Sequence, residues 1–148
     1  MTGRVRQLLY ISQSVESFTT EVCKNILSIA RFNNKRNGIT GFLAYLSNDT
    51  IIQILEGKAD AVGVTYERIS KDTRHTSIAI IIDIESQERL FSEWLMGFRM
   101  LEQSEVSALP DFVNLRDGGV PKLLDGEQGI LKVLKSIFVV LYCYLYIE

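Results

Sequence analysis

A chain of 148 residues with a net charge of −2 fits one domain with a short appendage. Its 47% hydrophobic and 23% charged content is that of a globular protein and excludes an intrinsically disordered one. The charge excludes a dominant nucleic-acid surface, and a single histidine and two cysteines are too few for a His-rich metal site or a structural zinc.

Gln7 to Ser12 reads as a first strand. Ser17 or Thr19 can cap a following helix that places Val22, Ile26, Ile29 and Ala30 near one face, with Asn33 and Asn34 at its end. Asn37-Gly38 is a turn signal. Ile39 to Tyr45 then reads as a second strand, Ser47-Asn48-Asp49 as a hairpin turn, and Thr50 to Leu55 as the return strand, ended by Gly57. Val62, Tyr66 and Ile69 give helical spacing to the segment from Ala59 to Lys71. Ile78 to Ile84 is a nearly continuous apolar run expected in a central strand, and Trp94 to Met100 is expected as a fifth strand. The order β-α-β-β-α-β-β predicts an α+β fold: a ferredoxin-like sheet with both helices on one face.

Beyond residue 100 the pattern is less regular. Pro110 stops a helical turn at Glu105 to Leu109, and Asp117 to Pro121 reads as a break. Ile130, Val133, Leu134 and Ile137 form the apolar stripe of a helix. The apolar run from Ile137 to Ile147 is shorter than the roughly 20 residues a membrane span needs. Residues 1–100 are therefore expected as one domain and 101–148 as a C-terminal helical cap. No signal peptide is expected, and the sparse, widely spaced cysteines suit a reducing, cytoplasmic setting.

The chain has no P-loop, no dinucleotide fingerprint and no acid–base pair that demands catalysis, so an enzyme is not expected. What stands out is neutral: Tyr10 on the first strand, Asn33 and Asn34 at the end of the first helix, and Gln53 alone among apolar residues on the third. A buried amide costs about 1–3 kcal/mol unless it finds partners. The first and third strands are neighbours in this sheet, so Tyr10 and Gln53 can meet beneath the first helix. Such a group suits an uncharged, planar heteroaromatic ligand, with Ile26 and Ile69 on either side of its ring.

These residues sit in a wider pattern. Leu8-Leu9-Tyr10-Ile11-Ser12, Arg31 to Gly41, Gln53-Ile54-Leu55-Glu56-Gly57, Tyr66-Glu67-Arg68-Ile69, Asp72-Thr73-Arg74-His75 and Phe91 to Met96 occur in an order that resembles the BLUF family of blue-light sensors that use FAD. The resemblance implies that Tyr10 donates an electron and proton to the excited flavin. It implies that Gln53 is the amide whose rearrangement red-shifts the flavin. Asn34, with Asn33 beside it, would grip the pyrimidine edge, and Ile26 and Ile69 would clamp the ring. Arg68 would meet its polar edge, and Arg74 and His75 the ribityl-phosphate end. Trp94 and Met96 would be the strand-five pair that carries the signal outward, with the choice between them at the flavin left open. FAD is the implied cofactor, with FMN and riboflavin as alternatives. With no appended enzyme domain, the chain resembles the short type that acts as a homo-oligomer on a separate signalling protein. Ala30 departs from the family, where a small hydroxyl residue is common, and Leu95 stands where a serine is common. A non-photoactive ferredoxin-like adaptor is the alternative. An acylphosphatase-like enzyme is disfavoured by the lack of an Arg/Asn phosphate loop.

Overall fold

The computed structural model describes residues 4–47 and 49–101. The chain divides into units Met1–Met100 and Leu101–Glu148, and the fold is that of the first. The expected cap beyond residue 101 lies outside the described residues, as does Asn48 of the hairpin turn.

Seven elements follow in order: β1 (Val5–Ser14), α1 (Thr20–Asn37), β2 (Thr40–Leu46), β3 (Thr50–Gly57), α2 (Ala59–Ser70), β4 (His75–Ser86) and β5 (Gly97–Leu101). The five strands form one sheet in the order β4-β1-β3-β2-β5. This is the ferredoxin-like α+β architecture expected from the element order.

The ends of α1 follow from local chemistry. Thr19, one of the two expected caps, accepts a hydrogen bond from the Val22 amide at 3.1 Å. At the other end Gly38 adopts the left-handed conformation, φ 67°, and its N–H bonds the Asn34 carbonyl. The helix therefore runs through Asn33 and Asn34 to Asn37, and Asn34 sits on its last full turn rather than at its end.

Antiparallel register sets the two faces of the sheet. Tyr10 pairs with Gln53, and Gln53 with Leu43, so these three side chains form a row across β1, β3 and β2. Leu8, Leu55, Ile51 and Tyr45 lie on the same face and pack with Leu27 of α1 and Val62 of α2 into the core. The alternate residues, among them Leu9, Phe42, Ile54 and Glu56, are buried on the other face.

Two departures from the expected strands matter for the site. First, β4 begins three residues before the apolar run, at His75, and its pairing with β1 shifts register twice, around Tyr10 and again between Ile11 and Gln13. Ser77 lies at the second shift with φ 55°. The extra residue resets the alternation, so that His75 and Ile80 both face the helices, although an even strand would turn an odd and an even position to opposite sides. Second, β5 begins at Gly97, so Trp94 and Met96 lie in the connection before it and not in a strand. A Cβ on Gly97 would come within 2.4 Å of both the Phe42 and Trp94 rings, which leaves glycine as the residue that fits there.

Among the described residues no helix is long and apolar enough to cross a membrane, and no cluster of metal-ligating side chains occurs.

Candidate functional site

A cavity of about 210 Å³ opens between the helix face of the sheet and the two helices. Tyr10 and Gln53 form its floor. Ile26 and Ala30 of α1 and Ile69 of α2 line it, and Asn33, Asn34, Arg68, Arg74 and His75 also line it. All the expected cofactor-binding residues thus converge on one space.

Tyr10 is 2% exposed and its hydroxyl donates to Gln53 Oε1. The Tyr66 ring meets it edge-on at 5.7 Å and the His75 ring at 6.2 Å. Burial, reinforced by Tyr66 and Asp72, pushes the Tyr10 hydroxyl far above a phenol's ordinary value. Tyr10 therefore keeps its proton at any physiological pH.

Gln53 is 6% exposed. Its Oε1 is engaged by Tyr10, while its Nε2 reaches Met96 Sδ at 3.5 Å. A thioether is a weak acceptor, so among the described residues this buried amide nitrogen has no strong acceptor. That under-used donor beside the cavity is what a ligand carbonyl or ring nitrogen would satisfy.

Met96 is 1% exposed and belongs to the helix-face core. Trp94 belongs elsewhere: its ring packs on Phe42 and Phe91, with centroids 5.4 and 5.9 Å away. Phe42 and Gln53 point to opposite faces of the sheet, because Phe42 pairs with Ile54 while Leu43 pairs with Gln53. In this structure Met96 lies against the amide and Trp94 packs on the far face of the sheet, outside the cavity.

Four further residues take positions that the sequence pattern did not specify. Asn34 is buried, and its Nδ2 donates to the Leu95 carbonyl at 2.6 Å, while Arg31 Nε donates to the Met96 carbonyl at 3.0 Å. Helix α1 thus holds the backbone on both sides of the Leu95–Met96 peptide. Asn33 is half-buried and its amide bonds no described residue. His75 spends both ring nitrogens inside the protein: Nε2 donates to the Ile69 carbonyl at 2.7 Å, and Nδ1 meets Ser12 Oγ at 2.8 Å. The carbonyl can only accept, which fixes the proton on Nε2. His75 ties β1, β4 and the end of α2 together beside Tyr10, so its imidazole is a strut of the wall.

At the rim Arg74 forks onto Asp72, with Nε and NH2 bonding Oδ1 and Oδ2 at 3.0 and 2.5 Å. This pairing holds the Asp72 carboxyl down at about 2. Arg68 also lines the cavity and, among the described residues, has no ion-pair partner. It is the cation left available to an anionic part of a ligand.

Phe18, Ile29, Leu43, Thr65 and Asp72 line the cavity as well and were not singled out by sequence pattern. Each is an ordinary apolar or polar residue of its element, and only the packing of α1 over β1 and β2 brings Phe18 and Leu43 together. Phe18 stacks on Tyr45 at 4.9 Å, closing that end.

A mostly apolar slot, walled by isoleucines, floored by a tyrosine–glutamine pair and supplied with neutral amides, defines a protein that holds an uncharged planar heterocycle beside an oxidisable phenol. Known proteins narrow the class. The profile of BLUF, sensors of blue-light using FAD, matches residues 5–97. The chain belongs to the BLUF family of flavin-based blue-light sensors. It is 37% identical over 90 residues to the beta subunit of photoactivated adenylate cyclase of Euglena gracilis, and 30% identical over 95 residues to the alpha subunit. These stretches are 60% and 63% of this chain but only 10% and 9% of those proteins. The chain therefore spans about a tenth of the length of the curated relatives it matches. The fold superposes on BlsA in its ground state with a TM-score of 0.68 and 28% identity, covering 88% of this chain and 85% of that one. It superposes on the BLUF protein BlrB in its dark state with a TM-score of 0.67 and 26% identity, covering 93% and 97%.

The residues present fit a flavin. Its ring is planar and carries carbonyls and an N–H along one edge. The cavity offers aliphatic walls, a Gln53 N–H held only by a thioether and the Asn33 amide, and no charged side chain on its floor.

Proposed function

We propose that this chain is a blue-light photoreceptor in which Tyr10 and Gln53 form the switch and Met96 takes up the change. The supporting observation is the chain of contacts Tyr10 hydroxyl, Gln53 amide, Met96 sulfur, all buried. FAD is the proposed cofactor. Ile26 and Ile69 would hold its ring, Asn33, Asn34 and Gln53 its polar edge, and Arg68 its phosphate end, with His75 and the Arg74–Asp72 pair shaping that end of the cavity.

Bound there, the flavin supplies blue-light absorption and an excited state that accepts an electron. Tyr10 is the one tyrosine or tryptophan among the residues lining the cavity, and it is protonated. On losing an electron, a phenol becomes strongly acidic, and its proton would pass by way of the atom it already bonds, Gln53 Oε1, to the flavin that took the electron, both returning to Tyr10 as the dark state recovers. The proton's passage frees the amide from the arrangement that Tyr10 imposes. A primary amide has two nearly isosteric orientations that exchange donor and acceptor. In the resting one, Gln53 turns its N–H toward Met96 Sδ. In the exchanged one, an oxygen faces the sulfur, and two acceptors cannot bond. The contact is lost, and the Met96 side chain is released from Gln53, which shifts the balance of the segment that α1 holds at the Leu95 and Met96 carbonyls and that leads into β5. The event is local, and the readout is a population shift in the segment around Met96.

The chain is proposed to act on a separate protein, as a homo-oligomer in the cytoplasm, with residues 101–148 forming the output element. The reading is tested by reconstituting the purified protein with FAD and recording its absorption before and after blue light. Flavin bands that move reversibly to the red support it. A colourless protein that does not take up FAD opposes it and favours the adaptor.

A further inference from the structure

Glu56 lies on β3 only three positions from Gln53, yet on the opposite face, and it is 0% exposed. A buried carboxylate needs donors, and Glu56 has them: Gln7 Nε2 and the Leu90 amide bond Oε2 at 2.7 Å each, and the Phe91 amide bonds Oε1 at 2.8 Å. The consecutive amides of Leu90 and Phe91 cradle the carboxylate as a backbone nest does an anion. Arg89 adds a second tie, from its guanidinium to Thr40 Oγ1 at 3.0 Å.

The clasped residues begin the stretch that ends at Met96. Phe91 contacts Phe42 and Trp94, and the Trp94 amide bonds the Phe91 carbonyl at 3.1 Å. The Trp94 carbonyl in turn accepts from the Gly41 amide of β2 at 3.0 Å. Residues 90–94 are thus fastened to β3 and β2 by bonds on the far face; at the other end Asn34 and Arg31 of α1 hold the Leu95 and Met96 carbonyls, and the Met96 side chain meets Gln53 through a thioether contact. The Leu90–Phe91 end is tied to the sheet through Glu56 and the Met96 end to helix α1, and only the Met96 side chain meets the switch.

We infer that Glu56 is a positioning residue: its carboxylate fixes the Leu90–Phe91 end of the output segment, so that a change at Gln53 turns the segment about that anchor and reaches β5. The inference rests on the photoreceptor reading for the moving end. A segment loose at both ends would absorb the change of Met96 without passing it on.

Amide hydrogen exchange on the full flavin-loaded chain tests this. In the dark, the Leu90 and Phe91 amides are expected to exchange as slowly as those of β3. Under blue light they are expected to stay slow while exchange rises at Met96 and Gly97. In Glu56→Gln one amide must face a donor in place of an acceptor; Leu90 and Phe91 are expected to exchange about tenfold faster. The flavin red shift should keep its wild-type amplitude in that variant. The light-induced fluorescence change of Trp94, the single tryptophan of the chain, should fall to less than half. Fast exchange at Leu90 and Phe91 in the wild-type dark state, loss of their protection under light, or an unchanged Trp94 response in Glu56→Gln would each overturn the inference. A wild-type chain with slow amides but no red shift would instead overturn the photoreceptor reading and leave the dark anchor standing.

Discussion

Replacing Gln53 by leucine separates switching from folding. The side chain is 6% exposed and touches the Tyr10 hydroxyl and the Met96 sulfur. Leucine keeps the volume and removes the amide. On the cost side, the Tyr10 hydroxyl, itself 2% exposed, loses its acceptor, a penalty of about 1–3 kcal/mol. On the other side, an amide whose nitrogen meets only a thioether is no longer desolvated, which returns about 1–3 kcal/mol. Met96 loses little, because a thioether packs well against a methyl group. The lost acceptor and the relieved desolvation oppose each other, and the net change should lie within about 1 kcal/mol. For a chain of this size that is a shift in Tm of no more than about 5 °C. Thermal melts in the dark and light-minus-dark spectra of the same sample make the test. Gln53→Leu should melt near the wild type, retain flavin and show no red shift. A retained red shift would refute the assignment of the switch to this amide. A fall in Tm of more than about 10 °C with loss of flavin would mean that Gln53 is a core residue whose main role is structural.

Other outcomes follow from the same contacts. Tyr10→Phe removes one hydroxyl and leaves both ring contacts in place; flavin should bind, and transient absorption should show no normal photocycle, with stability lowered by about 1–2 kcal/mol in denaturant melts. Met96→Leu conserves volume but deletes the sulfur acceptor. The red shift should form, and the dark-recovery rate, followed by absorbance, should change by up to about tenfold, since the lost contact is worth less than about 1.4 kcal/mol. Asp72 gives a pH dependence. Its carboxyl is held at about 2 by Arg74, against 3.8 ordinarily, so its contribution to stability is present above pH 4 and lost as pH falls toward 2. Being at the rim, it is screened, and Asp72→Asn should cost about 0.5–1 kcal/mol at pH 7 and close to nothing at pH 2, measured by urea melts at both values.

The fold was legible because its signals are local. Apolar runs bounded by turn residues gave β1 to β3, Asn37-Gly38 gave the end of α1, and Tyr10 and Gln53 stood out as polar residues on apolar strands. The site was legible through the same pair and through Asn33 and Asn34, two helical turns from Ile26. What the pattern could not carry was long-range or backbone-dependent. No local signal at Ser77 marks a left-handed residue, yet it turns His75 toward the helices. Trp94 reads as strand because it is aromatic among apolar residues; the ring contacts around Gly97 decide where β5 begins and hence which face the ring meets. Asn34 was read as a ligand contact, and whether its Nδ2 meets a ligand or the Leu95 carbonyl depends on a segment 61 residues away. Glu56 drew no notice, since its partners are backbone amides, which have no sequence signature.

One buried amide, placed between Tyr10 and Met96, is held to change its bonding when the flavin absorbs blue light. Infrared difference spectroscopy, light minus dark, on the flavin-loaded wild type and on Gln53→Leu reads that change at the bond concerned. A flavin C4=O band that moves to lower frequency in the wild type and does not move in the variant is expected. An identical band shift in both proteins, or none in a wild type that binds flavin, would rule out Gln53 as the switch.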